Sequence, residues 1–177
     1  MSDDVVAYFA FGANTCRHVL VGRRRIEPLR SEPALLRDHA LRFVRRGIPL
    51  LEPAFASVEP EPGATVHGVL HRLTPTAMAH LDRIEGRGYD RIAVQVETRD
   101  GSRIVATAYR ARDPVPGLRP SRRYVELLIR GARENDLPEP WIEELARLET
   151  VHVPLVASAV PWLVHSFDRL RSFGRRS

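Results

Sequence analysis

The chain has 177 residues, 44% hydrophobic and 28% charged, which fits one globular domain with a single apolar core and no run long enough to span a membrane. Asp3 and Asp4 stand where an export signal would be basic, and Cys16 is the only cysteine, so an internal disulfide is excluded and a reducing cytoplasm is the expected location. All 27 basic residues are arginine, against 22 acids, but they are dispersed and not interleaved with aromatics, so nucleic acid is not an expected partner.

Residues 5–11 read as a buried strand that breaks at Gly12-Ala13-Asn14, and residues 14–25 as a polar, irregular stretch ending in Arg23-Arg24-Arg25. Further strands are expected at 39–44 and 54–58, around a loop at Gly47 and Pro49. Another is expected at 67–73, after a turn at Pro60-Glu61-Pro62-Gly63. Thr74 and Pro75 are the cap and first residue of a helix with Met78 and Leu81 on its apolar face, stopped by Gly86 and Gly88. Residues 91–98 and 103–112 alternate around Asp100-Gly101, a hairpin signal. Residues 121–134 form a helix with a stripe of Tyr124, Leu127, Leu128 and Gly131, and 141–148 a shorter one. Antiparallel strands with inserted helices give an α+β class.

Two features could carry chemistry. The turn at Phe11-Gly12-Ala13-Asn14 is either structural or a place where backbone N–H groups meet an anion. Glu85, at the end of an apolar helix face, is either a carboxylate paired with an arginine or a general acid/base. Asp82, on the same face, reads as a support. Cys16 and His18 lack a third orienting group, and His67 and His71 lack a carboxylate or thiolate, so neither a thiol catalyst nor a metal site is expected.

Read together, these segments resemble the γ-glutamylcyclotransferase-like family over about residues 1–150. Tyr8-Phe9-Ala10-Phe11-Gly12-Ala13-Asn14 resembles the family's substrate loop, with Phe11 and Ala13 where tyrosine and serine are usual. Leu81-Asp82-Arg83-Ile84-Glu85-Gly86 followed by Tyr89 resembles its catalytic segment. Tyr124 leading into Gly131-Ala132-Arg133-Glu134-Asn135-Asp136-Leu137-Pro138 resembles its C-terminal helix, and Gly68-Val69-Leu70 a strand of its sheet.

The resemblance implies a compact mixed β-barrel flanked by helices. It implies a cyclotransferase that turns a γ-glutamyl compound into 5-oxoproline and an amine or amino acid, with no metal or cofactor. Glu85 would be the catalytic acid/base, and Tyr8, Phe9, Ala10, Phe11, Gly12, Ala13 and Tyr124 would bind substrate. A binding module of the same fold, recognising an acidic metabolite, is the alternative that Phe11 and Ala13 favour. Residues 151–177 lie outside the resemblance. Pro161 can start a helix there with a stripe of Leu163, Phe167 and Leu170, expected to pack on the domain or on a partner subunit of a homodimer rather than on a membrane.

Overall fold

The computed structural model describes residues 5–48 and 51–153, so the stripe of the C-terminal tail lies outside the described residues. Five strands close into a barrel in the order β1-β3-β2-β4-β5. They are β1 (Val6–Ala10), β2 (Arg30–Ile48), β3 (Glu52–Leu73), β4 (Tyr89–Thr98) and β5 (Arg103–Ala111). Neighbours run antiparallel except β1 and β5, which close the barrel in parallel at Tyr8 opposite Thr107. Helices α1 (Pro75–Glu85), α2 (Arg122–Glu134) and α3 (Glu139–Ala146) flank it.

β1 reads apolar throughout because it has a strand on each side and packing on both faces. Successive side chains point in opposite directions. Phe9 and Phe11 enter the larger core with Leu70, Val96 and Leu128, while Tyr8 and Ala10 face a second cluster with Leu73, Met78 and Leu81. The hairpin of β4 and β5 turns at Gly101, whose φ of +82° suits glycine.

Two expectations are corrected. The strands expected at 39–44, 54–58 and 67–73 are parts of one long hairpin of β2 and β3, which also takes in Ala34 and Leu36. Pro60-Glu61-Pro62-Gly63 does not reverse the chain. The register instead shifts between Arg37 and His39, with Asp38 at φ 56°, and the Gly63 N–H donates to the Asp38 carboxylate at 2.9 Å. A bulge absorbs the glycine that looked like a turn. Residues 14–25 are also more ordered than expected, holding a short turn at Ala13–Thr15 and a widened helical turn at His18–Arg23. Val19, Leu20 and Ile26 are buried there, which supplies the apolar anchoring that the arginines obscure.

Two caps fix the helices that matter for the site. The Thr74 hydroxyl accepts from the Ala77 N–H at 3.1 Å, and Gly86, at φ 61°, ends α1 directly after Glu85. The Ser121 hydroxyl accepts from the Tyr124 N–H at 3.1 Å. Ser121 in turn donates both its N–H and its hydroxyl to buried Glu52, tying the start of β3 to the start of α2.

Candidate active site

Glu85 is the last residue of α1, and its carboxylate meets groups from two other segments. Arg24 donates from Nη1 to Glu85 Oε1, and the Asn14 side-chain amide donates to the same oxygen at 3.1 Å. Asn14 Nδ2 also donates to the Tyr8 hydroxyl at 2.8 Å. Helix α1 grips residue 24 twice, because His80 also meets the Arg24 carbonyl at 3.0 Å through Nε2. The Arg24 N–H donates to the Val19 carbonyl, five residues back, and this wider turn carries Arg24 to the end of α1.

The turn after β1 lies on the same side. The Thr15 and Cys16 N–H groups donate to the Gly12 and Ala13 carbonyls, so the preceding N–H groups, from Gly12 to Asn14, have no acceptor within the turn. The turn lies flat on α2 because Gly131 has no side chain: a Cβ there would approach Thr15 Oγ1 to 2.2 Å. A Cβ on Gly12 would stand 3.1 Å from the Tyr124 hydroxyl. That hydroxyl accepts from the Ala56 N–H at 3.4 Å, and the Tyr89 hydroxyl donates to the Ala56 carbonyl at 2.9 Å. Tyr124 is wedged edge-on between Phe43 and Phe55, from the outer half of the long hairpin.

Among the residues read from sequence, Glu85, Tyr8, Gly12, Ala13 and Tyr124 therefore come together. Phe9, Ala10 and Phe11 bring no polar group there on their side chains, which are buried in the two cores. They can serve the site only through their backbone. Asp82 does not turn toward Glu85; its carboxylate accepts from the Tyr109 hydroxyl at 2.7 Å and pairs with Arg91. The arginine paired with Glu85 is not one of those near it in sequence, such as Arg83 or Arg87. It is Arg24, and nothing in the spacing distinguished it from the arginines beside it. Asn14 was legible as part of the loop, but its contact with Glu85 was not.

The electrostatics follow from burial. The Arg24 and Glu85 side chains are each 13% exposed. Burial opposes the Arg24 charge, but the carboxylate beside it outweighs this and raises the Arg24 pKa. Burial also raises the pKa of Tyr8, Tyr124 and Tyr89, with the negative charge of Glu85 adding to it, so all three hydroxyls keep their protons and remain donors. Asn14 Oδ1 and Arg24 Nε are buried with no protein partner, leaving one acceptor and one donor beside the carboxylate. Among the described residues no three potential metal ligands gather; His67 lies tilted against Trp141 and His71 stacks on Tyr8. No helix among them is long and apolar enough to cross a membrane.

A model of the AIG2-like family matches residues 65–145. The chain is 34% identical over 140 residues to the γ-glutamyl cyclotransferase of Claviceps purpurea, an alignment covering 72% of this chain and 63% of that protein. It is 29% identical over 148 residues to the γ-glutamylcyclotransferase of Mus musculus, covering 80% and 78%. A solved γ-glutamyl cyclotransferase superposes with a TM-score of 0.77 at 25% identity, over 89% of this chain and 98% of that one. The chain spans less than two thirds of the fungal relative's length.

Proposed function

Because the chain belongs to the γ-glutamylcyclotransferase-like family, we propose that it is a γ-glutamyl cyclotransferase. It would convert a γ-glutamyl compound to 5-oxoproline and a free amine or amino acid, with Glu85 as general acid/base. The observation that carries this reading is the placement of Glu85. The carboxylate stands between Arg24 and Asn14, on the side of the barrel where Gly12 meets Tyr124.

The substrate's α-carboxylate takes up Arg24, whose Nε lacks a protein partner, and its α-ammonium donates to Glu85 and to Asn14 Oδ1. Glu85 accepts a proton from the ammonium, whose free pKa is about 7.7–8.0. The amine nitrogen then attacks the γ-carbonyl carbon, forming the ring C–N bond and placing negative charge on the carbonyl oxygen. Backbone N–H groups of the turn at Gly12 and Ala13 stabilise that charge. Glu85 returns the proton to the leaving nitrogen as its bond to the γ-carbon breaks, then takes the second proton from the ring nitrogen, which leaves the neutral lactam. Attack is intramolecular, so the site mainly enforces geometry, worth effective molarities up to about 10⁵–10⁸ M.

The lack of hydroxyls at Phe11 and Ala13 favours the second reading, a binding module for an acidic metabolite. Incubation with a panel of γ-glutamyl compounds separates the two. Release of 5-oxoproline supports the enzyme, while saturable binding without release supports the module.

A further inference from the structure

The mechanism above gives His71 no task, yet three strands set its ring beside the site. Ser31 of β2, His71 of β3 and Tyr8 of β1 are register partners, side by side on the face turned away from Phe9 and Leu70. His71 is 3% exposed. Its Nδ1 meets the Ser31 hydroxyl at 2.8 Å, and its ring stacks on Tyr8 with centroids 6.0 Å apart and planes 24° from parallel. The Tyr8 hydroxyl in turn accepts from Asn14 Nδ2, which also donates to Glu85. An unbroken line of contacts therefore runs from Ser31 to the carboxylate proposed as the acid/base.

The histidine is costly where it stands. Burial lowers its pKa to about 4, so near neutrality the ring is uncharged and carries one N–H. Nε2 has no hydrogen-bond partner among the described residues. Four buried side-chain atoms there lack one, and three of them belong to His71, Asn14 and Arg24, the latter two in direct contact with Glu85. A phenylalanine would stack on Tyr8 equally well and strand no nitrogen, so packing alone does not call for histidine. The ring instead acts on Asn14. The carbonyl of that residue lies close enough to favour the protonated ring, and its side chain is held by the hydroxyl of the stacked Tyr8.

We infer that His71 is a positioning residue, which Ser31 locks in place and which fixes Asn14, directly and through Tyr8, in the pose that offers its amide to Glu85. Its effect on turnover rests on the cyclotransferase reading, whereas its hold on Asn14 does not.

The test uses the full chain as wild type, His71→Phe, Ser31→Ala and Asn14→Ala, with the γ-glutamyl compound of the panel above that is turned over fastest. His71→Phe keeps the stack and removes both ring nitrogens. It is expected to melt no lower than the wild type, yet to lower kcat for 5-oxoproline release about tenfold, with KM changed less, as for a displaced reacting group. In the Asn14→Ala background the same substitution should change kcat less than about twofold, because its target is already gone. Ser31→Ala, at an exposed position, should lower kcat by a smaller factor. In nitrogen-labelled protein the Asn14 side-chain amide signal, identified by its loss in Asn14→Ala, should shift in Ser31→Ala, whose changed atom meets His71 and not Asn14. A wild-type kcat in His71→Phe, an equal loss in the Asn14→Ala background, or an unmoved amide signal overturns the inference. Should His71→Phe fail to fold, Ser31→Ala decides by its kcat and its amide signal. If the wild type releases no 5-oxoproline from any compound, the cyclotransferase reading falls and the amide signal alone decides for or against His71.

Discussion

Arg24 and Glu85, far apart in the chain, form an ion pair in which each side chain is 13% exposed, and the Asn14 amide donates to the same carboxylate oxygen. Most ion pairs among the described residues are surface contacts between more exposed side chains, as in Arg122 with Glu126. Such pairs contribute little. The Arg24–Glu85 pair differs because removing one partner leaves the other charge withdrawn from water.

Arg24→Gln is therefore predicted to cost about 2 kcal/mol of stability, between the values for exposed and buried pairs. It is also predicted to lower 5-oxoproline release at least about tenfold. Urea denaturation and turnover assays check both, and a folded variant with unchanged stability and rate would show that the pair is incidental.

Tyr124→Phe removes the hydroxyl that faces Gly12 and accepts from the Ala56 N–H. One lost hydrogen bond is worth on the order of 1 kcal/mol, so kcat/KM is expected to fall about fivefold. An unchanged kcat/KM would mean that this hydroxyl serves only the hairpin.

Two glycines are predicted to respond differently to alanine. At Gly12 the backbone is at φ −105° and a Cβ would meet the Tyr124 hydroxyl at 3.1 Å, so Gly12→Ala should fold nearly normally while displacing that hydroxyl and losing activity. At Gly68 a Cβ would stand 2.3 Å from the Ala10 carbonyl oxygen, and strand must move from strand. Gly68→Ala should lose about 1–3 kcal/mol, the usual penalty of overpacking. Thermal melts and turnover of both variants check this, and similar melting temperatures would contradict it.

His71 is buried beneath Tyr8, and burial lowers its pKa from 6.5 to about 4. As pH falls, the unfolded chain takes up this proton before the folded one, so the contribution is complete above about pH 6.5 and lost between there and about pH 4. The loss amounts to about 3 kcal/mol. His71→Asn should remove this part of the acid sensitivity, visible as a smaller difference between urea midpoints at pH 7.5 and 4.5. Parallel pH dependence in wild type and variant would contradict it.

Much of the barrel was legible because its signals are local: the Thr74-Pro75 start, the Gly86 stop and the Asp100-Gly101 hairpin each act within a few residues. The long hairpin was not, because Pro60-Glu61-Pro62-Gly63 carries turn chemistry that a bulge opposite Asp38 absorbs. Glu85, Gly12 and Tyr124 stood out through motif resemblance, whereas Arg24 was hidden among many arginines. Its selection depends on the widened turn and on α1 closing over it, contacts between segments distant in sequence.

The central claim is that Glu85 moves the proton in an intramolecular cyclisation. The most direct test is 5-oxoproline release from a γ-glutamyl substrate by wild type and Glu85→Gln, with circular dichroism confirming the fold. Glu85→Gln keeps the shape and a hydrogen-bonding amide but cannot act as the base, so release is predicted to fall by roughly 10²–10⁴ with the spectrum unchanged. Release at near the wild-type rate by a folded Glu85→Gln protein would contradict the account.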